Sequence, residues 1–423
     1  MAIKSEITLK NGRDESVKRF HPWIFSGAID HVSGQIEDGD EVDVFDSKHN
    51  YLGTGHAALG SIAVKLFWFG PEKMLTDIWY QKLSNAYSLR QKIGYTSISG
   101  LSADLTNHLS DKKNSLLSNA YRLIFSEADG MPGVIIDYYN GVAVIQSHSM
   151  GMHLIRKELT DALIRLYGDK LKGVYSKSNE TLARSGIKDE MDEFLYQNPK
   201  NEGYNSSENT GEQLLISENG RTFIIDIVEG QKTGFFLDQR ENRALLGSYS
   251  KNMKVLNAFC YTGGFSIYAL TAGARHVTSL DSSSRAMSLL EKNLAHNTFT
   301  GTHKSVTADA KQWLTRMDKD FDVVILDPPA FAKRQADKHK ATQGYRFINQ
   351  TAIKNIKQGG LLFTFSCSQA ISSEMFTSII MSAALDAGRN AKILHHLTHS
   401  PDHPVSIFHP EGEYLKGLVL LID

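Results

Sequence analysis

Three stretches of this chain carry side chains able to do chemistry. The first is Gly359-Gly360-Leu361-Leu362-Phe363-Thr364-Phe365-Ser366-Cys367-Ser368, an apolar run that ends in a thiol between two hydroxyl residues. A lone cysteine is more often core filler. A thiol at the carboxyl end of a buried strand is instead a candidate nucleophile. The second is Phe321-Asp322-Val323-Val324-Ile325-Leu326-Asp327-Pro328-Pro329-Ala330-Phe331. Here an apolar strand runs into Asp327 and stops at two prolines, which cannot continue a central strand. A carboxylate followed by a stiff turn and an aromatic ring suits the holding of a planar base. The bland alternative is a capped strand end.

The third stretch positions the other two. Met253-Lys254-Val255-Leu256 is a short run suited to a buried parallel strand, and Asn257-Ala258-Phe259-Cys260-Tyr261-Thr262-Gly263-Gly264 is the loop that follows it. Phe265 to Leu270 then carries apolar residues at helical spacing. Strand, glycine turn and helix form a nucleotide-binding crossover, in which the backbone approaches a ligand and the helix start offers free N–H groups. The next apolar run, Val277 to Leu280, ends in Asp281, about 18 residues past Gly263, where a carboxylate accepts hydrogen bonds from ribose hydroxyls. The turn lacks the G-x-G-x-x-G of a pyrophosphate binder, which disfavours an NAD-dependent dehydrogenase. Its aromatic neighbours Phe259, Tyr261 and Phe265 suit S-adenosylmethionine (SAM), which has ribose and adenine but no phosphate.

Taken together, the motifs resemble those of the bacterial large-subunit ribosomal RNA 5-methylcytosine methyltransferases, a family with an N-terminal PUA domain. The resemblance covers almost the whole chain. It rests on His21-Pro22-Trp23-Ile24-Phe25-Ser26-Gly27, Asp129-Gly130-Met131-Pro132-Gly133, Lys232-Thr233-Gly234-Phe235-Phe236-Leu237-Asp238-Gln239-Arg240, the glycine loop, Asp327-Pro328-Pro329 and Ser366-Cys367-Ser368. It implies an α/β protein with a C-terminal Rossmann-like methyltransferase sheet, a small PUA-like β-barrel at the N-terminus and a central α+β domain. The expected divisions are 1–75, 76–195 and 196–423.

The resemblance also implies roles. Cys367 would attack cytosine and Asp327 would hold it. Lys232, Phe236, Asp238 and Gln239 would lie over the cofactor, with Asp238 pairing with the SAM amino group and Lys232 facing its carboxylate. Asn257, Phe259, Tyr261, Gly263, Gly264, Phe265 and Ser266 would line the cofactor loop, Asp281 would take the ribose and Asp309 the adenine amino group. Asp309 has a second reading, as the N-cap of a helix from Ala310 to Met317. Cys260, inside the loop, reads as packing. Some 5-methylcytosine enzymes carry a second cysteine after the Asp-Pro motif; Pro329 and Ala330 stand there in this chain.

The elements that must carry these groups are legible in outline. At 423 residues, two or three cores are expected. Short strands at Glu6–Leu9, Trp23–Phe25, Glu41–Phe45 and Ile62–Phe69 indicate the barrel. Lys10, Arg13, Lys18, Arg19 and His21 gather near its first turn, as phosphate contacts would. Pro71-Glu72-Lys73 marks a boundary, after which Thr76 or Asp77 caps a helix to about Ile93. Asn140-Gly141 and Asn219-Gly220 signal hairpins, Met152 to Tyr167 reads as a helix, and Asn198 to Gly211 as a polar loop. Asp129 reads as turn chemistry. Lys333, Arg334, Lys338, His339, Lys340 and Arg346 follow the base-binding motif as a basic loop. The tail histidines, His395, His396, His399, His403 and His409, lack cysteine partners and are broken up by prolines, which argues against a metal.

Composition sets limits. Lys plus Arg is 46 and Asp plus Glu is 47, for a formal charge of −1. That balance is mild evidence against an RNA partner, yet field strength depends on clustering rather than on the sum. No apolar run reaches membrane-spanning length, no signal-peptide core opens the chain, and two cysteines give no disulfide framework. The expectation is a cytoplasmic enzyme with ribosomal RNA as partner, leaving a homodimer open. The rival readings are a SAM-dependent methyltransferase for another RNA base, and a non-catalytic RNA-binding assembly protein.

Overall fold

The computed structural model describes residues 5–70, 76–96, 118–184, 186, 191–200, 213–332 and 335–423. Its contacts divide the chain into two compact units. One holds Met1–Gly220, Ile225–Leu237 and Pro401–Gly412; the other holds Arg221–Ile224, Asp238–Ser400 and Glu413–Asp423.

In the first unit the N-terminal part is a six-stranded sheet. The expected strands form, and two more join them, Ile29–Ser33 and Tyr51–Ala57. Alternation of side chains across the pleat puts Ile7, Leu9, Val42, Val44, Val64 and Leu66 into one core. A second sheet of five strands follows, in the order Glu193–Gln197, Gly173–Ser176, Val142–Ser147, Val134–Tyr139, Ala120–Phe125. Its tight hairpin turns at Asn140 and Gly141, both at positive φ. The helix Ile78–Lys92 packs beside it. Asp77 stands at its N-cap but makes no side-chain cap bond; its carboxylate pairs with Arg165 instead, at 2.9 Å.

The same helix carries a feature with no signal in the apolar pattern. Arg90 is fully buried and grips Asp129 with two bonds of 2.5 and 2.8 Å. Asp129 also accepts from Phe125 N at 2.6 Å, so it is a buried ion-pair partner as well as a turn residue. Breaking such a pair leaves a buried charge uncompensated.

The second unit is built on a seven-stranded sheet. The order is Thr302–Thr307, His276–Asp281, Lys254–Ala258, Val323–Leu326, Gly360–Ser366, Lys416–Ile422, Ala391–Leu397. The first five strands are parallel and Lys416–Ile422 runs antiparallel to its neighbours. Parallel strands covered on both faces read as continuous apolar runs, and Val323–Leu326 is buried throughout. The strand order reverses direction at Lys254–Ala258, between its neighbours His276–Asp281 and Val323–Leu326. Ligands of such sheets bind at the carboxyl ends beside that reversal. Among the described residues, no helix is long and apolar enough to cross a membrane.

Candidate active site

The sheet register brings the candidate groups to one edge. Ala258 lies opposite Leu280 on one side and Leu326 on the other, and Leu326 lies opposite Thr364. Each strand therefore ends within a residue or a few of a candidate: Asp281, Phe259, Asp327 and Cys367 in order across the sheet.

The glycine loop is strained where it turns. Phe259 and Tyr261 sit at φ 61° and 47°, a left-handed conformation that is uncommon outside glycine. The turn sends Tyr261 N toward Asp281, whose Oδ2 accepts it at 2.9 Å. Asp281 Oδ1 accepts Ser283 N, also at 2.9 Å. The carboxylate is thus aimed by two backbone amides while remaining part-exposed. Gly263 follows at φ 84°, and a Cβ there would stand 2.0 Å from Leu290 Cδ1. The helix Gly264–Thr271 then begins with no side chain capping its first N–H groups. Asn257 is fully buried; its Nδ2 donates to Ser266 Oγ at 2.9 Å, and Ser266 Oγ meets Ser279 Oγ at 2.6 Å. Asn257 Oδ1 is buried and has no hydrogen-bond partner. An orphaned buried acceptor, a carboxylate held by backbone and an uncapped helix start fit a nucleoside cofactor with an amino-acid tail.

Not every candidate faces a ligand in the same way. Phe265 is buried with its ring centroid 5.6 Å from that of Phe365, and Ser266 spends its hydroxyl inside the protein. Gly264 packs against Arg243, whose Cδ would lie 3.0 Å from an added Cβ. Asp309 is exposed and caps the helix Ala310–Leu314, accepting Gln312 N at 2.8 Å. Asp238 is buried and accepts the Tyr414 hydroxyl. Lys232 and Phe236 belong to the first unit, where the Lys232 ammonium lies 4.6 Å from the Phe236 ring centroid. Cys260 is buried beside Met287, and burial pushes its thiol well above the ordinary range, with the Asp281 charge adding to the effect.

Around the catalytic candidates the sequence missed several partners. Gln239 Nε2 donates to Asp327 Oδ2 at 3.0 Å, and Asn242 Nδ2 donates to Gln239 Oε1 at 2.6 Å. The Cys367 turn is tied to the Asp327 motif through Ser368. Its Oγ accepts Ala332 N at 3.3 Å and meets the buried Tyr345 hydroxyl at 2.9 Å. The Tyr345 ring in turn lies 4.7 Å from that of Phe331. Lys416, opposite Ser366 in register, donates to Ser368 O at 2.8 Å and Ile371 O at 2.5 Å. Apart from Asn242, three residues from Gln239, these partners come from distant elements, so no local motif could have marked the pairings.

The basic groups divide. Lys333 and Arg334 lie outside the described residues, as do Pro71-Glu72-Lys73 and positions 201–211 of the polar run. Lys338, His339 and Lys340 open the helix Lys338–Asn355 rather than a loop, and Arg346 is taken by Asp386 at 2.5 and 2.8 Å. In the first unit Lys10, Arg13, Lys18 and Arg19 are exposed, though Lys18 pairs with Asp14 at 2.5 Å. Among the described residues, one group could bring metal-ligating atoms together: His21, His409 and Glu411, within 4.8 Å of one another, with Glu411 exposed.

A doubly wound sheet with one antiparallel strand near its end, a strained glycine loop and a carboxylate at the next strand tip define a class, the Rossmann-like methyltransferases. Comparison with known proteins narrows it. Residues 192–407 match the model of the S-adenosylmethionine-dependent methyltransferase family, and residues 7–69 match a PUA-like domain. A protein of Tolumonas auensis named ribosomal RNA large subunit methyltransferase I is 37% identical over 99% of both chains. One of the same name from Alteromonas mediterranea is 36% identical over 99% of this chain and 98% of its own. The chain belongs to this family of SAM-dependent methyltransferases with a PUA-like domain, and SAM is its cofactor. A solved structure, that of SMU.776 in complex with SAH, covers 98% of this chain and 99% of its own, with a TM-score of 0.77 at 21% identity. That likeness bears on the fold alone.

Proposed function

We propose that the chain methylates carbon 5 of a cytosine in large-subunit ribosomal RNA, with Cys367 as nucleophile and Asp327 as the group that holds the base. The names of the relatives support the RNA class. The observation that carries the chemistry is the placement of Asp327 and Cys367 beyond the carboxyl ends of adjacent parallel strands, next to the strand that ends in the cofactor loop.

Bound SAM supplies an electrophilic methyl group. Carbon 5 of cytosine is too weak a nucleophile to take it unaided. The Cys367 thiolate adds to carbon 6, forming an S–C bond and making carbon 5 enamine-like. Asp327 holds the N3 and N4 edge, accepting from the N4 amino group and from N3 once N3 is protonated, and so polarises the ring. Once carbon 5 carries the methyl group, its proton leaves to a base, the electron pair restores the ring double bond, and the S–C bond breaks to release the thiolate. The target base must leave its stack or lie in an open loop to reach the site. In this reading Asp238, with Asn257, Phe259, Tyr261, Gly263, Gly264, Phe265, Ser266, Asp281 and Asp309, forms the cofactor region of the second unit, and Gln239 orients Asp327. The PUA-like part, 1–75, would bind RNA through its exposed cations, joined by the central part, 76–195, to the methyltransferase part, 196–423. Such an enzyme would act in the cytoplasm, and a homodimer is checked by sedimentation.

The test incubates ribosomal RNA with labelled SAM and wild-type or Cys367→Ala protein, then maps the modified base. The expected result is 5-methylcytosine with wild type and none with the variant. Label on a ring nitrogen, or full activity of the variant, would overturn the reading.

A further inference from the structure

We infer that Lys416 is a positioning residue for Cys367: its ammonium clamps the turn that carries the thiol and stabilises the thiolate by charge. The inference rests on the reading of Cys367 as the nucleophile. Lys416 opens the antiparallel strand Lys416–Ile422 and faces Ser366, one residue before the thiol. Its side chain is buried at 7% exposure, which is rare for lysine unless the charge is answered. Its bonds to Ser368 O and Ile371 O hold two carbonyls on the chain just after Cys367. Ser368 O also accepts Ile371 N, at 3.1 Å, so the turn closes on itself and the ammonium locks it.

Two neutral carbonyls do not balance a buried positive charge. The negative groups that act on Lys416 are Cys367, when ionised, and Glu413. Burial lowers the Lys416 pKa, and these two groups pull it back up. Coulomb attraction is mutual, so a charge that favours the ammonium is itself favoured by it. On the other side of the turn, Tyr345 stays neutral: burial raises its pKa, hydrogen bonds to Ser366 and Ser368 lower it, and Cys367 raises it. Asp327 follows the adjoining strand Val323–Leu326, and its charge would oppose a thiolate there; the Lys416 charge acts in the opposite sense. An ordinary thiol near about 8.5 is only a few per cent ionised at neutral pH, so a fixed neighbouring cation directly increases the reactive fraction.

The experiment measures alkylation of Cys367 by iodoacetamide against pH, followed by peptide mass spectrometry, in the intact chain without RNA or SAM. Wild type, Lys416→Arg and Lys416→Gln are compared, each checked for a cooperative melt. The expected wild-type midpoint lies below that of a free thiol. Lys416→Gln should raise it by about one pH unit, a loss of roughly tenfold in rate at pH 7. Lys416→Arg should stay near wild type. A folded Lys416→Gln with an unmoved midpoint would overturn the inference. So would a wild-type midpoint at or above about 8.5, whatever the variants do. Alkylation involves no methyl transfer, so this result is separate from the fate of Cys367→Ala in the methylation assay.

Discussion

Gln239 Nε2 donates a 3.0 Å hydrogen bond to Asp327 Oδ2. The amide oxygen of Gln239 is held by Asn242, which fixes the orientation of the amide. A residue expected among the cofactor contacts is therefore in place to orient Asp327, the carboxylate proposed to hold the base. A bond to a charged group contributes about 1.5–3 kcal/mol. Gln239→Ala should lower kcat by about tenfold to a hundredfold while leaving SAM affinity within about twofold. If calorimetry instead shows SAM binding weakened as much as turnover, Gln239 acts on the cofactor.

Asp281 is presented by two amides, Tyr261 N and Ser283 N. Asp281→Ala removes the carboxylate and frees the strained loop at once. The SAM dissociation constant, measured by calorimetry, should rise at least about tenfold. Unchanged affinity would remove Asp281 from the cofactor region.

Gly263 is confined by backbone and by space. Its φ of 84° suits glycine, and a Cβ would press on Leu290 Cδ1, which is itself fully buried. Gly263→Ala should destabilise by about 1–3 kcal/mol and weaken SAM binding, both readable in one thermal-shift series with and without SAM. A neutral alanine would mean that the loop relaxes without cost.

His56 is buried against Phe67 and Trp79, and burial holds its pKa down to about 4. The unfolded chain binds this proton near about 6.5. Its folded pKa is thus the lower, and the unfolded state holds more protons between the two values. Stability is full above about pH 6.5 and falls as pH drops toward about 4, by roughly 3 kcal/mol at most from this residue. His276, His303 and His409 shift in the same direction. Urea midpoints at pH 7.5 and 5 should differ less in His56→Gln than in wild type. An equal difference in both would acquit His56.

Much of the architecture was legible because it rests on local patterns. Alternation marked Glu41–Phe45, glycine after asparagine marked the turn at Asn140, and unbroken apolar runs marked Val323–Leu326 and Gly360–Ser366. The strands Ile29–Ser33 and Tyr51–Ala57 carry no such local signal. One carries a mixed, mostly exposed pattern, and the other is interrupted by Gly53 and Gly55, whose missing side chains let the neighbouring strand close in.

The order of residues alone set which chemical groups this chain possesses and which strand ends carry them, because a strand's length and its stop signals are written within a few neighbouring positions. Tertiary structure decided what surrounds each group. Arg90 meets Asp129, Ser368 meets Tyr345, and Lys416 reaches the turn after Cys367 across 48 residues of chain. Such pairings depend on how strands are ordered in a sheet, and strand order is a property of the whole fold, with no trace in any local window.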